Sequence, residues 1–236
     1  MSATLASFPA GGIAVVVGAT GGIGAACLLA LRAMPGFSQV LALSRAGAPP
    51  LELTDEASIA AAAASLPPAP LRLVLDATGM LHEGAHMPER SWRQLDPAHM
   101  ARSFALNAIG PALLMKHFLP LLPRDGKAVF ATLSARVGSI GDNRLGGWYS
   151  YRAAKAALNQ LVHTAAIELA RQRPEAVCVA LHPGTVATPL SARFAKAGLQ
   201  VRPPSEAAAE LLAVIDRLGP AQSGGLFDHH GQAIPW

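Results

Sequence analysis

Gly18-Ala19-Thr20-Gly21-Gly22-Ile23-Gly24 joins a β-branched run, Ile13–Val17, to residues 25–34, which read as a helix stopped by Pro35-Gly36. Glycine tolerates positive φ and lets other atoms approach the backbone closely. At a strand-to-helix junction the free N–H groups and the helix dipole attract a phosphate. A turn of this kind also suits a junction that is merely tight. Its place after the first strand of an α/β pattern, before a helix with uncharged first turns, favours a nucleotide. The spacing is G-x-x-x-G-x-G (Gly18, Gly22, Gly24) rather than G-x-G-x-x-G. A P-loop needs Lys-Ser/Thr after the last glycine, and Ala25-Ala26 stand there, which argues against ATP or GTP hydrolysis.

Outward from this turn the chain alternates short apolar runs with helical stretches. Residues 40–43 read as a second strand ending at Ser44-Arg45, and 51–53 as a third after a short Gly/Pro segment. Thr54-Asp55-Glu56 caps an alanine-rich helix over 57–65, and 71–75 is a fourth strand running into Asp76-Ala77-Thr78-Gly79. A long amphipathic helix is expected from about Asp96 to about Leu122, interrupted near Gly110-Pro111. Further strands are expected at 128–133, 177–181 and 225–228, with helices over 146–173 and 205–218. This alternation predicts a doubly wound α/β fold of the Rossmann type, a parallel sheet of about seven strands with helices on both faces.

No linker divides the 236 residues, so residues 1–236 read as a single domain with a loose lead-in at 1–12. Apolar residues make up 51% of the chain, which excludes wholesale disorder. Charged residues make up only 14%, against a usual ~25%, a hint that other subunits cover part of the surface. The net charge of +4 comes from scattered arginines without a basic run, which suits a phosphorylated ligand better than nucleic acid. The first 31 residues are uncharged, enough to span a membrane. The polar glycine turn in their midst reads instead as strand, turn and helix, and no membrane partner is expected. Cys27 and Cys178 lack metal or redox spacing and read as reduced core thiols of a cytoplasmic protein.

Tyr151-Arg152-Ala153-Ala154-Lys155 is a sharper signal, because the chain holds only two tyrosines. Residues i and i+4 share a helix face. A free phenol titrates near pH ~10 and serves poorly in proton transfer at neutral pH. An ammonium ~4 Å away is worth ~4 kcal/mol at an effective dielectric of ~20, enough to bring the phenol into range for general acid–base catalysis. An ordinary surface pair has the same spacing, and the motif alone does not separate the two.

Together, the glycine turn and Tyr-x-x-x-Lys resemble the short-chain dehydrogenase/reductase family, over nearly the whole chain. Asp76-Ala77-Thr78-Gly79 stands where the family has Asn-Asn-Ala-Gly, Asn107-Ala108-Ile109-Gly110 where it has a helical Asn, and Pro183-Gly184 where it has Pro-Gly. The segment from Gly138 to Tyr149 further resembles a branch of small carbonyl reductases and C-factor-like signalling proteins. The resemblance implies an NADP-dependent oxidoreductase acting on a carbonyl/alcohol pair. Tyr151 would exchange a proton with the reacting oxygen. Lys155 would depress the tyrosine pKa and hold the nicotinamide ribose, and Asn107 would place a relay water. Ser134 would hydrogen-bond the reacting oxygen, and the hydride belongs to the nicotinamide. The implied cofactor site comprises Gly18, Thr20, Gly21, Gly22, Ile23 and Gly24, then Ser44, Arg45, Glu52 and Leu53. It continues with Ala77, Thr78, Gly79, Tyr151, Lys155, Pro183, Gly184, Val186 and Thr188.

Three departures stand out. The family's serine precedes a glycine by three positions, and counting back from Gly138 lands on Ala135. Ser134 beside it serves only if the strand end twists; Ser139 is the fallback, and no serine role at all stays open. The connection from the second strand to the third is too short for the helix most relatives have, which predicts a more open adenine side. Ser44-Arg45 replaces the Asp usual in NAD-binding relatives, which favours the 2′-phosphate of NADP over NAD. The signalling branch keeps an alternative in view: a nucleotide-binding protein with little turnover. His82 and His86 lack a third ligand, so no metal is expected. Trp148, Tyr149 and Met80 are candidate pocket walls. The family's pairing of long helices between subunits implies a homodimer or homotetramer.

Overall fold

The run Ile13–Val17 forms β1, buried along its whole length. Successive strand side chains point to opposite faces. Ile13, Val15 and Val17 enter one apolar cluster, and Ala14 and Val16 the other. The computed structural model describes residues 5–84, 86–194 and 201–236. The glycine turn leads into α1 (Gly22–Arg32), and β2 (Gln39–Leu43) and α2 (Glu56–Ala64) follow. The chain then forms β3 (Leu71–Asp76), α3 (Pro97–Phe104), a π turn over Ala105–Ile109, and α4 (Gly110–Phe118). Next come β4 (Ala128–Leu133), α5 (Tyr149–Gln172), β5 (Ala176–His182), α6 (Pro204–Arg217) and β6 (Leu226–Asp228).

The sheet is parallel throughout, in the order β2-β1-β3-β4-β5-β6. Ile59 of α2, Leu114 and Phe118 of α4, and Leu158 and Val162 of α5 cover one face. Cys27 and Leu31 of α1, with Leu211 and Leu212 of α6, cover the other. The expected doubly wound fold is therefore present. Its order reverses between β1 and β3, so a crevice opens at the carboxyl ends of those two strands, the usual ligand position in such sheets.

Several expectations need correction. Among the described residues the sheet has six strands rather than about seven, because 51–53 is not a strand. Only residues 44–50 separate it from β2, and a parallel crossover needs about a dozen residues or more. Leu51 and Leu53 instead tuck beneath the crevice, and the real crossover to β3 carries α2, so the connection does have its helix. The lead-in is not loose from residue 5 onward. Leu5 and Phe8 are buried, and Ser7 donates from N (2.9 Å) and Oγ (2.6 Å) to Asp216 Oδ1; residues 1–4 lie outside the described residues. The break expected near Gly110-Pro111 falls one turn earlier, as the π turn that carries Asn107.

Pro97–Leu121 is long and apolar enough, by length and composition, to cross a membrane. Its Leu114 and Phe118 lie fully buried in the core cluster with Val74 and Phe130 of the sheet. Both cysteines are free and buried, and burial pushes each thiol up to about 12.

Candidate active site

The crevice between β1 and β3 is a cleft of about 290 Å³. Gly18, Thr20 and Gly21 line it from the glycine turn, Ser44, Arg45, Glu52 and Leu53 from the segment after β2, and Ala77, Thr78 and Gly79 from the end of β3. Gly18 has φ +76°, and a Cβ there would press on the Ala77 carbonyl at 3.1 Å. A Cβ on Gly24 would overlap the Gly18 carbonyl oxygen, and one on Gly22 would stand 2.7 Å from Thr188 Cγ2. The three glycines of the motif thus serve distinct ends: a left-handed bend, contact with the loop after β5, and close packing of helix on turn. Gly21 caps α1 without a side chain, and the first turn holds no acidic residue. No side chain of the helix competes for its N-terminal N–H groups, which suits a bound phosphate.

Arg45 lines the cleft, as the motif expects. The Glu52 carboxylate accepts from Thr54 N (3.1 Å) and Oγ1 (3.0 Å) and so braces its own turn. Glu83 and Arg102, which no sequence motif marks, form an exposed ion pair at 3.0 Å on the same rim. Nothing in the local sequence around either residue announces that pairing. Met80, a candidate substrate wall, lines this glycine-turn cleft instead.

A second cavity, of about 280 Å³, lies over the ends of β4 and β5. Ile23, Ser134, Tyr151, Pro183, Gly184, Val186 and Thr188 line it, together with Ala135, His182, Trp148 and Phe194. The Trp148 ring stands edge-on to Tyr151 (6.2 Å) and to Phe194 (5.1 Å). No motif in the sequence assigns a role to the Ala135 or His182 side chain. Burial pulls the His182 imidazole down to about 4, so it is neutral at physiological pH. Tyr149 does not line either cavity.

Tyr151 and Lys155 share a face of α5, as their helix spacing predicts. Lys155 Nζ sits 5.9 Å from the centre of the Tyr151 ring and donates to Leu133 O at 2.8 Å. Burial pushes the phenol above its ordinary value and brings the ammonium down to about 8, with Asp76 opposing the latter change. The upward move of the phenol is caused by burial and opposes the depression that the resemblance assigns to Lys155. Asp76 is fully buried, and burial raises its pKa against bonds from Thr78 N (3.0 Å), Thr78 Oγ1 (2.5 Å) and Thr132 Oγ1 (2.7 Å).

Asn107 is clamped by the backbone of Met80, whose N–H donates to Oδ1 (2.9 Å) and whose carbonyl accepts from Nδ2 (2.8 Å). Four residues on stands Pro111, which has no N–H to give the Asn107 carbonyl. A Cβ on Gly79 would lie 3.3 Å from Asn107 Oδ1 and 3.7 Å from Lys155 Nζ, so both side chains converge on that glycine. Ser134 Oγ donates to Asn159 Oδ1 at 2.6 Å. Ser139, the fallback, is turned away and donates to Pro235 O at 2.5 Å.

The histidines do not converge as a pair: His82 packs on Phe194 (5.8 Å) and His86 stacks on His99 (5.0 Å). Among the described residues Glu210, His229 and His230 do cluster, with Glu210 already ion-paired to Arg202.

A family model described as enoyl-(acyl carrier protein) reductase matches residues 38–219, a span that holds Tyr151 and Lys155 but begins after the glycine turn. The chain belongs to the short-chain dehydrogenase/reductase family. Within that family it is 39% identical to the C-signal of Myxococcus xanthus over 143 residues, 60% of this chain and 81% of that protein. It is 34% identical over 188 residues to 1-hydroxy-2-glutathionyl-2-methyl-3-butene dehydrogenase of Rhodococcus sp. (strain AD45), 80% of this chain and 79% of that one. An NADPH-bound carbonyl reductase from chicken fatty liver superposes with a TM-score of 0.80 at 29% identity, covering 97% of this chain and 100% of that chain. As a member of the short-chain dehydrogenase/reductase family, the chain is a dehydrogenase/reductase enzyme.

Proposed function

We propose that this enzyme reduces a small carbonyl substrate, or oxidises the corresponding alcohol, with NADP(H). The observation that carries the reading is a pair of cavities at the carboxyl ends of the strands: a glycine-turn cleft lined by Arg45, and a pocket that holds Tyr151. NADP(H) would lie along the cleft on Gly18, Thr20, Gly21, Gly22, Ile23 and Gly24. Its adenosine would meet Ser44, Arg45, Glu52 and Leu53, and its central part Ala77, Thr78 and Gly79. Pro183, Gly184, Val186 and Thr188 would receive the nicotinamide end. The cofactor supplies the hydride.

Tyr151 would give its phenolic proton to the reacting oxygen during reduction and take it back during oxidation. Lys155 would bond the ribose, and in the charged state it would stabilise the phenolate. Asn107, converging with Lys155 on Gly79, would place a relay water. Ser134 lines the pocket, yet it can donate to a substrate only by leaving Asn159, so its share is expected to be small. The fold is read as a single domain of a cytoplasmic homodimer or homotetramer, with no nucleic-acid, membrane or metal partner.

The test is NADPH oxidation with a panel of carbonyls, wild type against Tyr151→Phe. Equal rates in the two proteins would remove the tyrosine from the mechanism. A second reading, a nucleotide-binding signalling protein with little turnover, draws on the 39% identity to C-signal and on the methyl group of Ala135 where relatives place a serine. Tight NADPH binding without turnover of any carbonyl or alcohol would favour it.

A further inference from the structure

Helix α5 begins in an unusual way. Its cap residue is Trp148, in left-handed backbone (φ 54°, ψ 42°), whose side chain makes no capping bond. Apolar residues are poor caps, because the first N–H groups of a helix need acceptors. Glu89, from the irregular segment that follows β3, supplies the acceptors from outside the helix. Its carboxylate takes the Ser150 N–H at 3.1 Å and the Ser150 hydroxyl, while its backbone carbonyl takes the Trp148 N–H at 2.5 Å. Gly147, at φ +66°, lets the chain lie against this segment, and a Cβ there would stand 3.3 Å from Glu89 O. Glu89 is 2% exposed, and among the described residues no ion pair reaches it. A carboxylate buried without a cation is costly unless hydrogen bonds and a helix N-terminus offset the lost hydration. Glu89 and the start of α5 therefore hold each other in place.

We infer that Glu89 is the positioning residue for Tyr151 and its aromatic wall: a carboxylate cap, delivered from a distant segment, that fixes the first turn of α5 in the substrate pocket. Tyr151 follows Ser150 directly, and Trp148 stands edge-on to both Tyr151 and Phe194. Glu89 touches neither cavity, so it acts only through the helix it caps. The inference rests on Tyr151 being the acid–base group.

The experiment compares wild type, Glu89→Ala, Glu89→Gln and Ser150→Ala. It measures carbonyl-dependent kcat, the NADPH Kd, and amide hydrogen exchange over residues 148–155 and 22–32. A misplacement near 1 Å can cost ~10²-fold in rate, so Glu89→Ala is expected to lower kcat by about 10- to 100-fold with the NADPH Kd within about twofold of wild type. Exchange should speed up over 148–155 and stay unchanged over 22–32. Glu89→Gln keeps an acceptor for Ser150 and should recover most of the loss. A Glu89→Ala protein with wild-type kcat and wild-type exchange overturns the inference. So does a loss of rate and NADPH affinity together that Gln fails to rescue. Should Glu89→Ala fail to fold, Ser150→Ala must show a smaller fall in kcat at constant NADPH Kd, and an unchanged kcat overturns the inference. A wild-type protein inactive on every carbonyl defeats the acid–base reading instead, and hydrogen exchange in the variants then decides whether Glu89 holds the helix.

Discussion

The two halves of the site are built from opposite materials. The proposed cofactor half, around β1, α1 and the end of β2, offers mainly backbone, bare glycines and helix N–H groups, with Arg45 on its rim. The proposed catalytic half, around β4, α5 and β5, offers side chains that are both titratable and enclosed. Tyr151, Lys155, Asp76 and His182 each have a pKa moved mainly by burial. An anion held by N–H groups needs shape and little else. A proton donor needs its acidity tuned, and burial alone pushes Tyr151 the wrong way for neutral-pH chemistry, so ligand and lysine must do the remaining work. The glycine turn is therefore expected to resist added atoms, and the enclosed side chains around Tyr151 to resist altered charges.

The strongest attempt to break that contrast is Gly24→Val. It adds atoms where even a Cβ would overlap the Gly18 carbonyl. Overpacking of ~1–3 kcal/mol is expected, at ~2–4 °C per kcal/mol for a chain of this size. NADPH should no longer raise the Tm, and a normal NADPH-induced shift would show that the turn has room. Next in size, Tyr151→Phe should lower kcat by ~10²–10⁴-fold while the NADPH Kd by fluorescence titration stays put, since the lost group is chemical.

Arg45→Ala sharpens the comparison from the cofactor side. A charged hydrogen bond is worth ~1.5–3 kcal/mol, so NADPH affinity should fall by roughly tenfold or more while NADH affinity barely moves. Equal losses for both cofactors would detach Arg45 from the 2′-phosphate.

Lys155 gives a pH test. Its native pKa of about 8 lies below its ordinary 10.5, so the unfolded chain binds the extra proton between those values, and stability from this group rises with pH across that window. Calorimetry of cofactor-free wild type and Lys155→Met should show the wild-type Tm gaining on the variant between pH 8 and 10. A constant difference would mean that Lys155 stays charged. The smallest effect belongs to Ser134→Ala, expected to cost less than ~10-fold in kcat, because its proton is committed to Asn159.

What could be read in the sequence follows the same division. Gly18, Gly22 and Gly24 are fixed by local backbone geometry, so their spacing alone locates the turn. Tyr151 and Lys155 lie on one helix, and the 3.6-residue repeat places them on one face. Residues 51–53 read as a strand because a short apolar run has the same pattern whether it joins a sheet or packs beneath a cleft. Glu89, Phe194 and His182 meet α5 only through the tertiary fold, with more than 25 residues between each of them and Tyr151. The hydrogen bond from Lys155 to the carbonyl of Leu133 ties α5 to β4, a partner that no helix spacing announces.

The edge-on tryptophan at the pocket has a practical side. Trp92 and Trp236 are largely open to solvent, whereas Trp148 stands in the cavity where the nicotinamide is proposed to arrive. Indole emission overlaps the absorption of a reduced nicotinamide, so Trp148 can pass its excitation to the bound coenzyme and dim as the site fills. The molecule thus carries its own optical gauge of occupancy, readable without label or substrate.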